Sequence, residues 1–173
     1  MRGLSQAAIQ AMYSSETDEA IILLLTVYSI ADNTTPVLRL ADNFTKRLTS
    51  YTTDTDVVYG VTSNSQDFIF FPMDITLPGE SDDGSSNCTI AINYASKDLI
   101  EFIRTNLTSP AKILLQLVLT NNPSYIEAAF TNFYITGVTY SAQGVNLQLS
   151  MINYSTEPFP AYNFSPKYFP GLF

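Results

Sequence analysis

The run AIILLLTVY, Ala20 to Tyr28, constrains this chain more than any other stretch. Successive side chains of a strand point to opposite faces, so Ile21, Leu23, Leu25 and Val27 share one face while Ile22 and Leu24 share the other. Both faces are apolar, which predicts a strand that is central in its sheet or covered on both sides. The run is too short to span a bilayer as a helix. It follows Asp18 and Glu19, lies far from Arg2 and lacks a small-residue cleavage pattern, so neither a membrane span nor a secretory signal is expected.

The remaining segments favour strands. Pro36 to Ala41 reads as a second strand, and 42–67 as a long polar excursion holding a hairpin, broken by an apolar patch at Val57, Val58 and Tyr59. In Phe68 to Leu77, Met73, Ile75 and Leu77 alternate with Asp74 and Thr76, and Pro72 marks an edge position or a bulge. Cys88, Ile90, Ile92 and Tyr94 alternate with Thr89, Ala91 and Asn93, which predicts a buried thiol. Ala111 to Thr120, Phe130 to Tyr140 and Val145 to Tyr154 complete the set, the last two joined as a hairpin through Ser141 to Gly144, with one wet face on the final strand.

Two segments carry helical spacing. Leu4 to Tyr13 has Ser5 as its N-cap and Ala8, Ile9 and Met12 on one stripe; Ser96 to Leu107 has Ser96 as cap and Leu99, Phe102, Ile103 and Leu107 as its stripe. The order of elements shows no regular alternation and no glycine-rich phosphate loop. It predicts an α+β, mainly β fold: an antiparallel β-sandwich or barrel with one or two flanking helices. A chain of 173 residues is long enough for one core-bearing domain. The expected division is a single β-rich domain over 1–154 and an extended segment over 155–173.

Several chemistries lose their reagents. The chain has no histidine, which removes Ser-His-Asp and Cys-His systems and most zinc sites. The carboxylate pairs Asp18/Glu19, Asp54/Asp56 and Asp82/Asp83 sit in polar loops or at strand starts, where nothing desolvates them, so no enzyme activity is expected. Glu80 to Gly84 clusters oxygens but lacks the 1-3-5 spacing and distal glutamate of an EF-hand, and reads as a solvated turn. With 8 Lys+Arg against 16 Asp+Glu the net charge is −8, which repels nucleic acid and anionic membrane. Lys46 and Arg47 beside Tyr51 are better read as partners for nearby acids. The single Cys88 forms no internal disulfide, and no cofactor or metal is expected.

EPFPAYNFSPKYFPGLF, from Glu157 onward, is a different signal. Its prolines fix φ, and Phe159, Tyr162, Phe164, Tyr168, Phe169 and Phe173 supply large apolar area with few rotors. Such a segment is built to be covered, either against its own domain or against a neighbouring subunit.

LSQAAIQAMYSSETDEAIILLLTV, LRLADNFTKRL, FPMDITLPGESDDG, IAINYASKDLIEFIRT and EPFPAYNFSPKYFPGLF together resemble a family of phage and prophage minor tail proteins, catalogued as a domain of unknown function. The resemblance runs nearly end to end and departs at Ser63-Asn64-Ser65, where the family has a glycine-containing turn. It implies a structural protein of the virion, made in the host cytoplasm and placed at the tail tip of a long-tailed phage. Its partners would be other copies in a ring, a hexamer by analogy with tail tubes, and the tail tube, hub and tape measure proteins. The alternative within the same resemblance is an assembly or adaptor factor that binds another tail protein during morphogenesis. Tyr51, Val57, Val58 and Tyr59 of the excursion, with the six aromatic residues of the C-terminal segment, are the candidate interface.

Overall fold

A computed structural model describes residues 4–28, 34–49, 53, 56–77, 87–93, 111–141 and 144–151. The expected helix over 96–107, the acidic loop 80–84 and the segment 155–173 lie outside the described residues.

Helix α1 spans Gln6–Tyr13 and starts where the sequence places it, since the Ser5 hydroxyl accepts from the Ala8 N–H at 3.1 Å. Among the described residues ten strands follow: β1 Ile21–Tyr28, β2 Pro36–Ala41, β3 Lys46–Arg47, β4 Tyr59–Ser63, β5 Gln66–Phe70, β6 Met73–Thr76, β7 Asn87–Ile92, β8 Lys112–Leu119, β9 Ile126–Tyr140 and β10 Val145–Met151. They form one sheet in the order β3-β4-β5-β2-β1-β8-β9-β10-β7-β6. The α+β, mainly β class read from the sequence is the observed one.

β1 sits between β2 and β8, antiparallel to both. Leu25 and Val27 enter the larger core with Ile90, Ile113, Phe133 and Leu147. Ile22 and Leu24, on the opposite face, enter a second core with Val61, Phe68 and Val118. The two-sided apolar run is thus buried on both sides, as its pattern requires. Along β10, Val145, Leu147 and Leu149 are buried while Asn146 and Gln148 are exposed.

The sheet is rolled. Strands β5 and β6 stand seven strand steps apart in the order, roughly 34 Å in a flat sheet at about 4.8 Å per step. Phe71 and Pro72 alone connect them, and three residue steps of chain reach at most about 11 Å. The β6 end of the sheet must therefore curl back toward β5 around the larger core. The Phe71 N–H donates to Ala41 O of β2 at 2.9 Å, and Pro72 O accepts from the Asn93 N–H just beyond β7 at 3.1 Å. The connection thus bonds to β2 on one side and to the chain just past β7, the neighbour of the end strand β6, on the other. Among the described residues, the end strands β3 and β6 do not pair with each other, so the roll is an open one.

Two expectations change. The segment expected as one strand from Phe68 to Leu77 is two, because the chain crosses from β5 to the end strand β6 at Pro72, which has no N–H to give a ladder. The pairing is not antiparallel throughout: β2 and β5 run parallel through Leu40↔Ile69 and Ala41↔Phe70. The excursion between them is long enough to bring the chain back in the same direction.

Candidate interaction surface

The polar excursion becomes the outer end of the sheet, with its hairpin formed by β4 and β5. Main-chain bonds shape its base: the Thr45 N–H donates to Gly60 O at 3.0 Å and the Leu48 N–H to Val58 O at 2.8 Å. Gly60 is required there, since a Cβ would lie 2.0 Å from Phe68 O and 2.6 Å from Leu48 Cδ1. This close approach brings β3, β4 and β5 together.

An aromatic group crowns the result. The Phe44 ring lies 5.2 Å from Tyr59 and 5.1 Å from Phe70, the second contact edge-on. Phe44 and Tyr59 are each 46% exposed and Val57 is 50% exposed, while Val58 is half-buried. Lys46 and Arg47 form the terminal strand beside them, both exposed. The structure therefore gathers Val57 and Tyr59 of the candidate interface into an apolar patch with a basic margin. Phe44 belongs to that patch and was not singled out by the sequence, because it stands far from Tyr59 along the chain. Tyr51, Phe159, Tyr162, Phe164, Tyr168, Phe169 and Phe173 lie outside the described residues.

The acidic candidates have ordinary structural tasks where they are described. Glu19 accepts from the Asn121 side-chain amide at 2.5 Å and ties the start of β1 to the turn after β8. Asp56 closes a turn with Thr53, its N–H donating to Thr53 Oγ1 at 3.0 Å and its carbonyl accepting from Thr53 N–H at 2.9 Å. Asp54, Asp82 and Asp83 lie outside the described residues. Among the described residues, no three histidine, cysteine, aspartate or glutamate side chains gather as a metal site would need.

Among the described residues, two titratable groups are shifted by burial. Desolvation raises the Asp42 carboxyl above its usual range, partly offset by bonds from the Leu23, Asp42 and Asn43 main-chain N–H groups. Burial pushes the Cys88 thiol up to about 11. Cys88 is the buried, free thiol its alternation predicts.

Glu127 has a partnership the sequence did not disclose. Register passes from Leu117↔Ala128 to Val118↔Ile126, so Glu127 is the extra residue of a bulge in β9. It is buried, and it accepts from Ser5 N at 2.8 Å and from the Ser5 hydroxyl. A carboxylate placed at the first turn of α1 also suits the helix dipole. Ser5 thereby caps its own helix and fastens it to the sheet.

A family model matches residues 7–164, and its description is a domain of unknown function, DUF1833. The chain belongs to the DUF1833 family. No curated protein matches the sequence. Among the described residues, no helix of this DUF1833 protein is long and apolar enough to cross a membrane.

Proposed function

We propose that this DUF1833 protein is a structural component of a phage tail tip, a ring subunit that joins the tail tube to the hub. The observation that carries the reading is the exposed patch of Phe44, Val57 and Tyr59 at the terminal end of the sheet. Exposed aromatic residues at a short edge strand suit packing against another chain, where Tyr and Phe contribute most of their area. The occupant argued for is a second copy. Lys46 and Arg47 border the patch, and pairing them with acidic residues of the next copy offsets part of the repulsion between two chains that each carry a net charge of −8.

The acidity also fits a ring that DNA must pass through without adhering, because like charge keeps the wall from binding phosphate. A basic channel wall in the assembled ring would overturn this part. The location at the tail tip is proposed by analogy, from the sequence's resemblance to minor tail proteins.

Two measurements test the proposal. Mass spectrometry of purified virions should find this chain in stoichiometric copies; its absence would leave the adaptor reading, a factor that acts during assembly and departs. Val57→Asp with Tyr59→Asp should leave the thermal midpoint within a few degrees of the parent and abolish the oligomer seen by native mass spectrometry. An intact ring in that variant would place the interface elsewhere.

A further inference from the structure

Helix α1 covers the sheet loosely. Only Ala8 of the helix is buried, while Met12 is 69% exposed and Ile21, where β1 begins, is 58% exposed. Between helix and sheet lies a cleft of about 490 Å³ lined by Met12, Ile21, Leu119 and Ala128, with Thr17 and Glu19 at its side. Its volume falls in the range of pockets that bury compact apolar groups, roughly 300–1,000 Å³. The surround is acidic. Glu19 and Glu127 belong to the lining, Glu16 and Asp18 flank Thr17 and are exposed, and among the described residues no lysine or arginine lines the cleft.

The cleft is apolar like the patch of Phe44, Val57 and Tyr59, and opposite to it in charge, since Lys46 and Arg47 border the patch. The two surfaces also lie on opposite faces of the sheet. Tyr59 shares its face of β4 with Val61, which belongs to the second core. Ile21 shares its face of β1 with Leu25, and Leu119 its face of β8 with Leu115, and both Leu25 and Leu115 belong to the larger core. One copy can therefore hold one neighbour by its patch and another by its cleft.

We infer, granting that copies of this chain assemble as proposed above, that the cleft between α1 and the ends of β1, β8 and β9 receives the Phe44, Val57 and Tyr59 patch of the next copy, with that copy's Lys46 and Arg47 set against Glu16, Asp18 and Glu19. Charge disfavours the two symmetric alternatives. Patch against patch would bring Lys46 and Arg47 onto their own counterparts, and cleft against cleft would do the same to the three acids; like charges across an interface cost affinity. Either symmetric contact would also stop at a dimer, whereas patch into cleft is head-to-tail and forms a ring when the rotation from copy to copy closes. An aromatic side chain seated in an apolar cleft and surrounded by polar contacts is the kind of anchor that carries most of an interface's affinity.

Mixing two disabled variants of the full-length chain tests this. Val57→Asp with Tyr59→Asp lacks the patch, and Met12→Lys with Ile21→Lys lacks the cleft while changing only exposed side chains. By native mass spectrometry each should be a monomer alone. An equimolar mixture, with one variant isotopically labelled, should give a heterodimer and nothing larger, because each member keeps one working surface. A cleft variant that keeps the parent's oligomer, or a mixture that stays monomeric, would overturn the pairing and leave the ring reading standing; a parent that is itself monomeric would overturn both. Charge reversal at exposed positions checks the contacts without touching the apolar anchors. Glu16→Lys with Asp18→Lys should weaken the oligomer by on the order of tenfold, and adding Lys46→Glu with Arg47→Glu to the same chain should restore it. No restoration would overturn the assigned charge contacts and the pairing with them.

Discussion

Ser65 is the residue where this chain departs most plainly from what its backbone asks. The turn between β4 and β5 holds Asn64 at φ 48° and Ser65 at φ 63°. A two-residue hairpin with both φ positive is the turn that Asn-Gly fills best, because glycine has no Cβ to strain in the left-handed region. Ser65→Gly should therefore stabilise the fold by about 1 kcal/mol, raising the thermal midpoint by about 2–4 °C for a domain of this size. An unchanged or lowered midpoint would show that the serine side chain makes a compensating contact. Cys88 gives a second prediction at this scale. Its native thiol titrates near 11 against an ordinary 9.0. The unfolded chain therefore loses its proton first, and stability falls as pH rises from about 9 to about 11, with no contribution below that window. The loss is on the order of 2 kcal/mol. Denaturation of the parent and of Cys88→Ala across this range isolates it, since tyrosine and lysine titrations are common to both proteins. The difference between their stabilities should shrink with pH; a constant difference would mean that the thiol is not desolvated.

At the scale of elements, α1 depends on one carboxylate. With Ala8 its only buried residue, the helix gains little from packing, and its N-terminus is held by the Ser5 bonds to Glu127. A hydrogen bond to a charged group contributes roughly 1.5–3 kcal/mol. Glu127→Ala should therefore speed amide exchange in α1 by on the order of tenfold while strand amides of β8 and β10 keep their protection, and Glu127→Gln, which retains an acceptor, should fall between. Uniform loss of protection would mean that Glu127 supports the sheet and not the helix. The helix itself was legible: Ser5 and the spacing of Ala8 announce it. Strand faces were legible too, because alternation at Cys88, Ile90 and Ile92 or at Val145, Leu147 and Leu149 depends only on the strand's own residues. The bulge at Glu127 was not, since an extra residue exists only relative to a partner strand. Pro72 read as an edge position or a bulge within one strand; that it instead carries the chain from β5 to β6, seven strands away, follows from strand order, which alternation does not encode. Likewise Val57 and Tyr59 stood out as an apolar patch in a polar stretch, whereas Phe44 joins them only through the pairing of β3 with β4.

For the molecule as a whole, the question is whether two cores make one cooperative unit. Leu24 and Leu25 are adjacent in β1 yet belong to different cores, and both are almost fully buried. The strand that carries them is continuous and paired on both edges, so neither core can lose its share of β1 while the other keeps a native strand. The second core also holds Phe68 of β5 and Ala41 of β2. β5 leads through Phe71 and Pro72 into the strand whose Met73 lies in the larger core. Opening the outer hairpin would therefore pull on the far end of the roll. Unfolding in urea should accordingly be a single transition, with tyrosine fluorescence and far-ultraviolet circular dichroism giving coincident curves. Leu24→Ala and Leu25→Ala should each cost about 2–5 kcal/mol. Their side chains leave opposite faces, but the two residues are adjacent in β1, so a departure of the double variant from the sum measures coupling through the strand's backbone. A first transition confined to Leu24→Ala, with the second unchanged, would mean that the outer hairpin opens independently and that the roll is stable without it. Coincident curves for the parent and both variants would instead establish β1 as the strand through which both cores fold together.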